Sequence, residues 1–74
     1  MEPRYTPKTV EQKLGYLVEE CGAVLAAIDK AKRWGLDSTN PVLPPDEHKT
    51  NRDRLLCEMH DLEVAIGLLR EAIS

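Results

Sequence analysis

Four acidic residues stand at spacings that suit divalent-metal chemistry: Glu19 beside Glu20, and Glu58 three positions before Asp61. A helix turns about 100° per residue, so Glu20 falls on a strip with Tyr16, Ala23, Ala27 and Trp34. Glu58 and Asp61 fall on one with Ala65 and Leu68. Carboxylates set among Ala and Leu lose hydration when another helix covers them, and a bound cation is the usual means of making several of them tolerable together. An all-oxygen donor set favours Mg2+ or Mn2+ over Zn2+. Taken alone, acids three apart are also what an ordinary solvated helix face carries.

Other residues carry a chemical reading beside a plainer one. Lys30, Arg33, Arg52 and Arg54 lie near the two ends of a central loop, where they are in reach of phosphate oxygens or serve as solvated helix-end charges. Asn51 lies in the same region. Trp34, at the end of the first helical stretch, either stacks on a nucleobase or plugs the end of a bundle. Cys57 and His60, with Cys21, invite comparison with a zinc site, but no fourth soft ligand stands at a matching spacing. His48 sits in the loop with no partner in view, and His60 reads more simply as a solvent or interface histidine than as a general base.

Two long helices must position these groups. The first is expected over 7–34, with Thr6 as cap and Pro7 at the first helical position, whose N–H needs no partner. Val10, Leu14, Leu17, Val18, Cys21, Val24, Leu25 and Ile28 recur at three- and four-residue steps as its apolar face. Gly35, after the basic residues Lys30, Lys32 and Arg33, marks its stop. A loop follows over 35–49, in which Pro41, Pro44 and Pro45 forbid a continuous helix. It is long for a helix–helix connection, which usually takes about 2–8 residues. The second helix is expected over 50–72, capped by Thr50 with Asp53 in its first turn. Its seam is Leu55, Met59, Leu62, Ile66, Leu69 and Ile73.

The expected fold is therefore all-α: one domain over 1–74, an antiparallel two-helix hairpin that assembles into a four-helix bundle by homo-oligomerisation. Val64, Leu68 and Ala72 lie off the second seam, so one partner helix cannot cover the apolar surface. The chain has 74 residues and no Phe, and its aromatics are Tyr5, Tyr16 and Trp34. A domain this small buries only about 60% of its unfolded surface, and a homodimer or homotetramer is the simplest remedy.

The net charge of −3 argues against general affinity for nucleic acid, which draws on clustered Lys and Arg. No apolar run of about eighteen residues indicates a membrane span, and the first residues lack the apolar stretch of a signal peptide. A cytoplasmic location is expected, with Cys21 and Cys57 as buried free thiols rather than a disulfide.

The segment 13–28, Lys-Leu-Gly-Tyr-Leu-Val-Glu-Glu-Cys-Gly-Ala-Val-Leu-Ala-Ala-Ile, and the segment 55–66, Leu-Leu-Cys-Glu-Met-His-Asp-Leu-Glu-Val-Ala-Ile, together resemble the MazG-like all-α nucleoside triphosphate pyrophosphohydrolases. That family's signature is a Glu-Glu-x-x-Glu helix followed by a Glu-x-x-Asp helix. The resemblance covers both helices and not the loop. It implies hydrolysis of a nucleoside triphosphate to a monophosphate and pyrophosphate by attack of water on the α-phosphorus, with Mg2+, or Mn2+, as cofactor. Carried over, Glu20, Glu58 and Asp61 would be metal ligands, and Glu19 the neighbouring catalytic acid. Lys30, Arg33, Trp34, Asn51 and Arg54 are the residues placed to meet the nucleotide. The chain departs from the signature at Ala23, where a further Glu is expected. Three readings stay open: an enzyme with a reduced metal site, a non-catalytic nucleotide binder on the same fold, and a structural hairpin whose partner is another protein.

Overall fold

The computed structural model describes residues 6–39 and 49–74. They form two helices, α1 (Val10–Trp34) and α2 (Asn51–Ile73), packed along each other as a hairpin. No strand occurs among the described residues. No helix there is long and apolar enough to cross a membrane.

α1 starts later than the expected position 7. Thr9, with extended backbone, is the cap: its hydroxyl accepts from the Gln12 N–H at 3.1 Å, while Gln12 Oε1 accepts from the Thr9 N–H at 3.2 Å. The same oxygen takes the Lys8 N–H at 2.8 Å. This reciprocal box satisfies several of the N–H groups that a helix start leaves over. Thr6 and Pro7 precede the helix, because Thr9 has Gln12 three residues on to return the bond.

α1 ends where Gly35 takes φ +94° and ψ 155° and its N–H bonds Ala31 O at 2.9 Å. That backbone region is open to glycine and strained for other residues. The neighbouring segment is tied to the start of α2. Asn51 N–H donates to Ser38 O at 2.9 Å and Arg52 N–H to Leu36 O at 2.7 Å. The Asn51 side-chain amide donates to Gly35 O at 2.9 Å and to Lys30 O at 3.4 Å. Thr50 caps α2 by accepting from the Asp53 N–H at 3.1 Å, and α2 runs to Ile73. The chain reversal is thus held by hydrogen bonds between residues that flank the central loop; most of the expected loop, 40–48, lies outside the described residues.

The helices do not meet on the faces that hydrophobicity favours. α1 buries Tyr16, Glu20, Val24 and Ala27, while α2 buries Ala65 and Leu69. Of the expected α1 face, Val24 is buried, whereas Val10, Leu14, Val18, Leu25 and Ile28 are exposed, Val18 by 72% and Leu25 by 66%. In α2 the expected seam is partly engaged: Leu55, Leu62 and Ile66 are half-buried and Leu69 is buried, but Met59 and Ile73 are exposed. Two of the buried side chains, Ala27 and Ala65, are small, and interaxial distance is set by the residues at the contact. Cys21 and Cys57 are free, as expected, but exposed rather than buried, and Cys21 lies on the uncovered apolar face of α1.

Candidate metal centre

The close strip carries the acids. Glu20 enters from the middle of α1, Glu58 and Asp61 from successive turns of α2, and each offers a carboxylate oxygen such that the three lie within 4.8 Å of one another. Glu20 is 3% exposed, and Glu58 and Asp61 are half-buried. One Glu20 oxygen, Oε2, is buried without a hydrogen-bond partner.

Electrostatics follow from this crowding. Burial pushes the Glu20 carboxyl above its ordinary pKa of 4.5, and the charges of Asp61, Glu58 and Glu19 push it the same way. Tyr16, one turn before Glu20 and 1% exposed, has its phenol raised by burial, then by Glu20 and Asp61. It stays protonated at neutral pH and presents a hydroxyl close to the acids. The sequence places Tyr16 on the Glu20 strip; the hairpin adds its nearness to Asp61 of α2.

A cleft of about 210 Å³ adjoins the acids, lined by Ala23, Ala26, Ala27, Lys30, Asn51, Arg54 and Glu58. Glu58 belongs to both the acid cluster and the cleft wall. Of the residues expected to meet a nucleotide, Lys30, Asn51 and Arg54 come together here. Arg33 and Trp34 are not in the lining: Arg33 pairs with Asp29 at 3.2 Å on the surface, and Trp34 is 70% exposed. Asn51 also has a structural task, since its amide N–H groups hold the helix reversal. Glu19 is exposed and outside the three-acid group, acting on Glu20 through its charge. Ala23 stands half-buried in the cleft wall, so no carboxylate enters from that position. Among the described residues, Cys21, Cys57 and His60 do not gather into a metal-binding group, and His48 lies outside those residues.

No family model, curated protein or solved structure matches the chain.

The donor set fits a hard divalent cation. It consists of carboxylates alone, and the buried Glu20 oxygen lacks the hydrogen bond that buried polar atoms ordinarily have. Burial and the neighbouring acids disfavour ionisation of Glu20; a cation held there would reverse that balance.

Proposed function

We propose that the chain is a Mg2+-dependent nucleoside triphosphate pyrophosphohydrolase of the MazG-like type, cleaving a nucleoside triphosphate to monophosphate and pyrophosphate. The observation that carries the reading is the buried, unpartnered Glu20 oxygen in a three-carboxylate group whose Glu58 also walls a cleft with Lys30 and Arg54. The motif resemblance of the two helices adds the reaction class.

Glu20, Glu58 and Asp61 would hold the cation, with Mn2+ as an alternative. It would supply neutralisation of phosphate charge and a more acidic water. Lys30 and Arg54 offer cationic groups to phosphate oxygens, Arg as a planar fork and Lys as a point charge. Tyr16 offers a protonated hydroxyl near the acids. In the reaction the water oxygen bonds to the α-phosphorus, the α–β bridging oxygen departs with pyrophosphate, and the water's proton passes to solvent.

Self-association belongs to the same reading. Leu14, Val18, Leu25 and Ile28 form an exposed apolar strip on α1, and a second copy covering it gives a four-helix homodimer or a pair of them. Free Cys21 and Cys57 suit a reducing compartment, and a cytoplasmic location is proposed with the rest.

The test is release of pyrophosphate and monophosphate from a panel of nucleoside triphosphates in Mg2+. Glu58→Ala is expected to abolish turnover, and full turnover by that variant overturns the assignment. A second reading, a nucleotide binder without chemistry, is favoured by one observation, the Ala23 methyl in the cleft wall. Calorimetry showing nucleotide binding without product would support it.

A further inference from the structure

The hairpin has two broad sides, and residues sort between them by helical geometry. Antiparallel helices are related by a local two-fold axis perpendicular to their common plane, so residues that directly follow contact positions project to the same side on both. After Glu20, Val24 and Ala27 come Cys21, Leu25 and Ile28; after Glu58, Asp61 and Ala65 come Met59, Leu62 and Ile66. With Leu14 and Val18 they make one continuous apolar side, on which Leu14, Val18, Cys21, Leu25, Ile28 and Met59 are exposed. Ala23 and Ala26, which precede Val24 and Ala27, line the cleft on the other side.

Along α1 this apolar side is self-complementary when reversed. Val18 and Leu25 lie equally far from the midpoint of Cys21 and Gly22, and so do Glu11 and Lys32, exposed in the first and last turns. Two copies of α1 laid antiparallel about that midpoint set Val18 against the partner's Leu25, and Glu11 against the partner's Lys32 at both ends. Laid parallel, they set like charge on like, which specific interfaces avoid. Gly15 and Gly22 fit the same register. Glycine is less favourable than alanine in a helix interior, and within the hairpin nothing lies within 4 Å of a Cβ added at either position. In the antiparallel pair they stand level with the partner's Ile28 and the partner's Cys21, where the missing side chains leave room for close approach.

We propose that a second copy docks on this side with its α1 antiparallel to the first, about a two-fold axis at the Cys21–Gly22 midpoint, so that both clefts open away from the interface. The proposal rests on the self-association reading above and deepens it by fixing which helix meets which, and in what register. The contact is isologous, as a two-fold dimer requires. It brings the Cys21 thiols of the two copies together, whereas covering α1 with the second copy's α2, the other way to close a four-helix bundle, holds them apart.

The test uses the full chain carrying Cys57→Ser, with sedimentation equilibrium to measure association and diamide to join neighbouring thiols as a disulfide. The expected result is a dimer whose Cys21 pair diamide converts to a covalent link, absent in Cys21→Ser. Gly22→Leu adds a side chain that the single hairpin has room for, so circular dichroism should show both helices kept. It is expected to weaken dimerisation by about tenfold or more, because it overpacks the crossing point. A dimer in which diamide joins no Cys21 pair overturns the antiparallel docking and leaves self-association standing. Association undiminished in Gly22→Leu also overturns it, because the helices then cross elsewhere. A chain that is monomeric throughout defeats the self-association reading itself, and this docking with it.

Discussion

Glu20 and Asp61 face each other across the hairpin with carboxylate oxygens within 4.8 Å, the first nearly sealed from solvent and the second half-buried. Two like charges in that setting oppose folding unless a proton or a cation intervenes. The metal-free and metal-bound chains should therefore differ in stability, and the site residues should affect the two in opposite directions.

Glu20→Gln removes a buried charge while nearly keeping the side-chain volume. In EDTA at neutral pH the variant is expected to be more stable than the parent by about 1 kcal/mol, measured by urea denaturation. In millimolar Mg2+ it should lose the stabilisation the parent gains by mass action. Equal stabilisation of both proteins by Mg2+ would place the cation elsewhere.

The pH dependence has a definite sign. The folded chain holds the Glu20 carboxyl above its ordinary 4.5, so the native state binds this proton more tightly than the unfolded state. This contribution is fully present below about pH 4.5 and is lost as pH rises through the folded pKa. Denaturation in EDTA should show Glu20-dependent stability falling with pH over that window, and Glu20→Gln should flatten it. Mg2+ should reverse the trend, since it binds the ionised form. A parent and variant with parallel pH profiles would refute the assignment.

The helix reversal depends on Asn51 and Gly35. Asn51→Ala deletes the donor to Gly35 O and Lys30 O and is expected to cost about 1 kcal/mol. Gly35→Ala forces an L-residue to φ +94° and is expected to cost about 1–3 kcal/mol. Thermal unfolding monitored by circular dichroism measures both, and parental stability in either variant would contradict the described turn.

The exposed α1 strip predicts self-association. Leu25→Glu places a charge on a side chain that is 66% exposed in the single chain, so it should leave the hairpin intact. Sedimentation equilibrium is expected to show an oligomer for the parent and a monomer for the variant. A monomeric parent would remove self-association from the account.

Much of this architecture was legible in the residue pattern. Three- and four-residue apolar steps announced both helices, Thr50 and Gly35 stand at their boundaries, and the strip shared by Glu20 and Tyr16 meets the one shared by Glu58, Asp61 and Ala65. The pairing face was not legible. Val18 and Leu25 look like core on a helical wheel, yet periodicity says only that a face needs cover and not which copy supplies it. The hairpin instead buries Tyr16, Val24 and Ala27 of α1 against Ala65 and Leu69 of α2. Thr9 outcompeted Thr6 because Gln12 completes its cap. Asn51 as a brace on Gly35 and Lys30 required the turn geometry, which no local spacing encodes. Arg33 and Trp34 sit near the cleft in sequence, but the end of α1 turns them outward.

The most direct measurement is anomalous diffraction from crystals of the chain soaked in Mn2+. The account predicts one strong peak in contact with carboxylate oxygens of Glu20, Glu58 and Asp61 together, diminished in Glu20→Gln crystals. A soaked crystal with no peak between these three side chains, or with manganese held only by other surface acids, would contradict it.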